Sequence, residues 1–87
     1  METKTREKNE GRVVYTGGTF DILTPGHVDL FRWCRDVAGK NGKVVVSLNT
    51  DEFVARYKGK QPSMIYNDRR ALLEALRGLI DEVVENN

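Results

Sequence analysis

The stretch "RVVYTGGTFDILTPGH", residues 12–27, joins a strand-favouring run to a helix start through a glycine pair, and this junction constrains the fold more than anything else in the chain. Val13, Val14 and Tyr15 favour a strand, which ends where Gly17 and Gly18 allow a tight turn. Thr24 suits the N-cap of a helix, and Pro25 suits its first position, where a missing N–H costs nothing. Leu30, Phe31, Cys34, Val37 and Ala38 then recur at the spacing of one helix face, with Asp29, Arg32, Arg35 and Asp36 opposite. Trp33 borders the apolar stripe and is expected to pack, Cys34 to be a small core residue, and Gly39 and Gly42 to close the helix.

The alternation continues. "KVVVSL", residues 43–48, is a near-continuous apolar run of the kind buried on both faces of a parallel sheet. "NTDEFVARY" predicts a short helix, with Asn49 as cap and Glu52 at capping-box spacing. After the polar loop "KGKQPSMIY", Asn67 is expected to cap a second long helix carrying Leu72, Leu73, Leu76, Leu79 and Ile80 on one stripe, and Val83 and Val84 suggest a last strand. Strand, helix, strand, helices, strand implies α/β architecture: a shortened three-layer Rossmann-like parallel sheet of about three strands with flanking helices and right-handed crossovers. Such sheets bind ligands beyond the carboxyl ends of their strands, where the glycine turn lies.

The first ten residues, METKTREKNE, mix both charge signs and hold no apolar residue after Met1, so residues 1–10 read as a flexible tail and 11–87 as the domain. A chain of 87 residues has a modest core, and oligomerisation would add stability. A net charge of +1 with 31% charged residues gives no global pull toward nucleic acid or acidic membranes. A single cysteine excludes an intramolecular disulfide, and with no secretory leader or long apolar span the expected location is cytoplasmic.

A phosphate at the glycine turn would meet the N–H groups of Gly26, His27 and Val28, with the positive end of the helix dipole behind them. His27 lies in the same first turn, where a neutral imidazole is favoured; on spacing alone it either faces that ligand or merely closes the turn. Lys58 and Lys60, in the glycine-containing loop, are either solvated or able to close over phosphates. Arg70 precedes Glu74 by four residues and predicts a surface pair. Arg69 sits at the edge of the leucine stripe in a first helical turn, where a cation is poorly placed for the dipole and calls for a partner such as a phosphate. Asp21 is expected to bond local turn amides.

"GTFDILTPGH", residues 18–27, resembles the signature of the nucleotidyltransferase superfamily that includes glycerol-3-phosphate cytidylyltransferase, phosphopantetheine adenylyltransferase, archaeal FAD synthetases and heptose-phosphate adenylyltransferases. "VVVSLNTDEF" resembles the second strand and following helix of the cytidylyltransferases, "YKGK" their lysine-bearing loop, and "NDRRALLEALRGLIDEVV" the segment in which an arginine opens a helix leading to the third strand. The similarity runs from about Arg12 to Val84 and is nearest to glycerol-3-phosphate cytidylyltransferase. It implies transfer of a nucleotidyl group from a nucleoside triphosphate, CTP favoured over ATP, to a small phosphorylated acceptor such as glycerol 3-phosphate, with release of pyrophosphate.

The resemblance further implies catalytic roles for His27, Lys58, Lys60 and Arg69, and nucleotide or phosphate binding by Gly18, Thr19, Phe20, Thr24, Gly26 and His27. Magnesium would arrive with the triphosphate rather than on protein ligands. Thr24 stands where cytidylyltransferases usually carry a first histidine, as it does in the pantetheine branch, which leaves the base open. The chain ends before the further strands and Ser/Thr-rich element that the resemblance implies, so a minimal form, a fragment and a segment completed by another chain all stand. The alternative function is a nucleotide-binding or assembly module derived from this fold. The edge of the first strand is expected to be covered by a second copy of the chain, giving a homodimer.

Overall fold

The central strand organises the rest. In the computed structural model, which describes residues 2–8 along their backbone and residues 11–87 in full, that strand is β3 (Lys43–Asn49), with Val44, Val45, Val46 and Leu48 all buried. It pairs in parallel with β2 (Gly11–Gly18) on one side and β4 (Glu82–Asn86) on the other. A run without polar alternation is what a strand with neighbours on both edges and burial on both faces requires.

Between the strands lie α1 (Pro25–Ala38), α2 (Asp51–Lys58) and α3 (Tyr66–Glu74). Both crossovers step in the same direction along the sheet, and right-handed connections then put α1 and α3 on one face. Val44, Val46 and Leu48, which alternate toward that face, pack with Phe31, Cys34 and Ala38 of α1 and with Leu73 of α3. Burial pushes the Cys34 thiol up, as befits a small core side chain. Among the described residues no helix is long and apolar enough to cross a membrane.

Four expectations change. Glu2–Lys8, read as part of a tail, forms a strand, β1, antiparallel to β2. Composition sees only side chains, whereas an edge is completed by backbone N–H and C=O groups that any residue but proline supplies. The β2 edge expected to await a second copy is therefore paired within the chain; Met1, Asn9 and Glu10 lie outside the described residues. Trp33 is 52% exposed rather than packed. Asn49 does not cap α2: it completes β3 and is buried, and Thr50 is the cap, accepting from the Phe53 amide at 3.2 Å.

The fourth change is in α3, which stops at Glu74. Leu76, Leu79 and Ile80 still reach the core, but through turns closed on the Leu73 and Leu76 carbonyls, with Gly78 at φ 83°. The leucine spacing marked burial correctly at Leu73, Leu76, Leu79 and Ile80, but Leu72 is 42% exposed and the helix is not continuous. Asn67 lies inside the first turn; the cap position is Ile65, which offers no side-chain bond, and Asp51 of α2 instead accepts from the Tyr66 amide at 3.1 Å. Arg70 does pair with Glu74, at 3.2 Å.

Two arginines tie the ends of the sheet. At the amino end of β3, Arg35 donates to Asp81 at 2.8 Å and to the Gly39 and Gly42 carbonyls, while Asp81 also accepts from the Val44 amide at 2.7 Å. Gly42 is required there, since a Cβ would collide with the Ala38 and Arg12 carbonyl oxygens. At the carboxyl end Arg69, fully buried, donates from Nε to Met64 O at 2.9 Å, from one terminal nitrogen to Thr19 O and Asn49 O at 2.8 Å each, and from the other to Asp51 at 2.6 Å.

Replacing Arg69 by methionine strands three carbonyls and a carboxylate, and is expected to destabilise the fold by about 3 kcal/mol or more. Chemical denaturation measures it; a loss below about 1 kcal/mol would show that water replaces the guanidinium at little cost.

Candidate active site

The turn after β2 is shaped by Phe20. Its φ of 47° is unusual for a side chain of this size, and conformations of this kind cost about 1–3 kcal/mol. The ring is buried, edge-on to His27 with centroids 5.2 Å apart and 5.3 Å from Phe31, so its packing offsets that strain. Because the ring folds back over the turn, a Cβ on Gly18 would lie 3.0 Å from Phe20 Cζ. The second glycine of "GGTF" is thus fixed by the phenylalanine two residues on.

Thr24 caps α1 as predicted, and the partner of its cap is His27. Thr24 Oγ1 accepts from the His27 amide at 3.4 Å, and His27 Nδ1 accepts from the Thr24 amide at 3.1 Å. An imidazole here fills the reciprocal role that Glu or Gln takes in a capping box. Nδ1 as acceptor leaves the proton of the neutral ring on Nε2. His27 therefore closes the turn with one nitrogen and is also among the residues that line the adjacent cleft, so the two readings of it are compatible.

That cleft, of about 820 Å³, lies beyond the carboxyl ends of the parallel strands. It is lined by Gly17 and Gly18 of β2, Ser47 and Asn49 of β3, Asn86 of β4, the turn residues Thr19 and Phe20, His27 of α1, and Phe53, Tyr57 and Lys58 of α2. Gly18, Thr19, Phe20, His27 and Lys58 are thus brought together. Thr24 and Gly26 hold the helix start without lining the cleft, and Lys60 follows the left-handed Gly59 outside it. Lys58 is the last residue of α2, not a loop residue, which separates the two lysines.

Arg69 does not reach the cleft. The partner its position called for is supplied by protein oxygens, Asp51 and the three carbonyls, so the expected phosphate role is not what its geometry serves. Residue spacing had no means of showing Asn49, Asn86 and Tyr57. Asn86 Nδ2 donates to Asn49 Oδ1 at 2.8 Å, Asn49 Nδ2 donates to Thr19 Oγ1 at 3.0 Å, and Thr19 Oγ1 lies 2.7 Å from the Tyr57 hydroxyl.

Asp21 reaches further than a turn residue. Its carboxylate accepts from the Ser63 and Met64 amides at 2.7 and 2.8 Å, pinning the segment after α2 to the glycine turn. Those bonds, that from Ser63 foremost, hold the carboxyl below its ordinary range. A depressed value means that the contribution is full above the ordinary aspartate range and is lost as pH falls through the lowered value.

Protection of the Ser63 and Met64 amides against exchange is accordingly expected to fall as pH drops below the ordinary aspartate range, and to be low at every pH in Asp21→Asn. Unchanged protection in that variant would contradict the pin. Gly18→Ala is expected to displace the Phe20 ring and to shift the His27 ring resonances; an unperturbed histidine spectrum would show that the turn absorbs the methyl group.

Comparison with known proteins gives the family and agrees with the fold. A family model described as cytidylyltransferase-like matches residues 15–87. An FAD synthase of Methanopyrus kandleri is 43% identical over 67 residues, 77% of this chain and 44% of that protein. The bifunctional protein HldE of Citrifermentans bemidjiense is 40% identical over 80 residues, 91% of this chain and 16% of that one. The crystal structure of a lipopolysaccharide core biosynthesis protein from Thermoplasma volcanium superposes with a TM-score of 0.71 at 29% identity, covering 86% of this chain and 57% of its own. The chain spans less than half the length of either of these curated relatives. With a matched span running from β2 through the whole cleft, the chain belongs to the cytidylyltransferase-like family of nucleotidyltransferases.

Proposed function

We propose that the cleft handles phosphates in a nucleotidyl transfer: a phosphate oxygen of a small acceptor attacks the α-phosphate of a nucleoside triphosphate, and pyrophosphate leaves. The reaction needs no protein nucleophile, only alignment and stabilisation of developing charge. The observation that carries this reading is His27, whose ring is fixed on both sides, by the Thr24 amide at Nδ1 and by the Phe20 edge, while it borders the cleft. A histidine held this way presents Nε2–H as a fixed donor and loses little freedom when a phosphate binds.

Lys58 is the cation for the transferring phosphates, since it lines the cleft and Lys60 does not. ATP is favoured over CTP as donor, because FAD synthases stand among the relatives and the dinucleotide in their name contains an adenylyl group. Flavin mononucleotide therefore joins glycerol 3-phosphate as an acceptor to test. A magnesium ion would neutralise charge on the leaving pyrophosphate. In this reading the ion is carried chiefly on the oxygens of the triphosphate.

Pyrophosphate release, measured with ATP or CTP, magnesium and each acceptor, tests the reading. His27→Ala is expected to slow release by about 10²–10³-fold, the usual effect of losing one preorganised donor. Lys58→Ala should cost more than Lys60→Ala. Nucleotide binding without release would favour the binding-module alternative, and absence of both would overturn the nucleotide assignment.

A further inference from the structure

Among the residues that line the cleft, α2 contributes Tyr57, a residue that no spacing rule singles out. Its hydroxyl lies 2.7 Å from Thr19 Oγ1, linking the end of α2 to the turn after β2. Its ring is held edge-on to Phe53, with centroids 5.2 Å apart, and Lys58 Nζ stands 5.8 Å from the ring centroid. Tyr57 is nevertheless 52% exposed, so this arrangement presents it to the cleft rather than burying it.

Counting hydrogens decides what the hydroxyl can do. The amide donors run in one direction, Asn86 to Asn49 to Thr19, so Thr19 Oγ1 is already an acceptor. Thr19 and Tyr57 bring two hydroxyl hydrogens, and the bond between them uses one. The other has no protein acceptor among the described residues, and both oxygens belong to cleft-lining side chains. A chain of donors ending in an unspent O–H, in a cleft that Lys58 also lines, is suited to an anionic oxygen, because hydrogen bonds to charged acceptors are the stronger ones.

We infer that Tyr57 contacts substrate, its hydroxyl pair with Thr19 donating one hydrogen bond to a phosphate oxygen in the cleft that His27 also lines. The inference rests on the nucleotidyl-transfer reading and adds a binding residue to it. The phosphate belongs either to the triphosphate or to the acceptor, and the chemistry is the same for both.

The test compares wild type, Tyr57→Phe and His27→Ala in titrations with inorganic pyrophosphate, ATP, inorganic phosphate and flavin mononucleotide, followed at the Gly18 and Thr19 amides. The phenylalanine keeps the ring, its contact with Phe53 and the ammonium above it, so only the hydroxyl is lost. Tyr57→Phe is expected to weaken binding of at least one probe by about tenfold, in line with loss of a hydrogen bond to a charged group. A loss confined to pyrophosphate and ATP assigns the contact to the triphosphate; a loss confined to phosphate and flavin mononucleotide assigns it to the acceptor. Wild-type affinity for all four in Tyr57→Phe, with binding lost in His27→Ala, would remove Tyr57 and leave the nucleotidyl reading standing. A wild-type chain that binds none of them would overturn both.

Discussion

The guanidinium of Arg69 is the point at which the parts of this fold meet. It gathers the Thr19 carbonyl from the glycine turn, the Asn49 carbonyl from the end of β3, the Met64 carbonyl from the segment before α3 and the carboxylate of Asp51 at the start of α2. A planar group with five donors suits this task, and a lysine could not replace its geometry. Asp51 is used twice, since it also accepts the first amide of α3. Arg35 does comparable work at the opposite end of the sheet, so the strands are fixed at both ends while packing secures the middle.

The strain at Phe20 follows from that arrangement. A bulky residue at φ 47° persists only where its neighbours over-determine it. Here the Thr19 carbonyl just before it is held by Arg69, Asp21 just after it is bound to the Ser63 and Met64 amides, and its own ring is packed against His27 and Phe31. The turn is thus tied down on both sides of the strained residue. Preorganisation of this kind is what a reaction that depends on alignment needs, because the donors do not have to be reoriented when charge develops.

What the sequence displayed was the part controlled by neighbours in the chain. β2, β3 and the full length of α1 were legible because apolar period and local caps agree there, and the position of the cleft followed from topology. The Thr24 cap was legible; its reciprocal bond to the His27 ring was not, since that depends on how the ring turns. Asn49 and Thr50 are both capable caps one residue apart, and the choice was made by strand pairing: Asn49 is opposite Asn86 in the ladder and belongs to the sheet. The stripe from Leu72 to Ile80 misled because apolar side chains delivered by turns bury the same surface as those delivered by a helix. Glu2–Lys8 was illegible by composition because the backbone pairing that makes it a strand is open to any residue but proline.

Arg69 shows the limit of charge arguments from sequence most clearly. A cation in a first helical turn does require a partner, and the inference that one exists was sound. Its identity depends on which oxygens the fold brings within reach, and those come from residues up to fifty positions away. Once Arg69 is committed to the fold, the charge balance of the cleft changes. Among the described residues Lys58 is the one lysine or arginine lining it, beside the His27 imidazole, the Thr19 and Tyr57 hydroxyls and the Asn49 and Asn86 amides. Under the proposed nucleotidyl transfer, a triphosphate there would meet hydroxyl and amide donors and one ammonium, a set that orients phosphate oxygens well and would leave most of the neutralisation to a cation brought by the nucleotide.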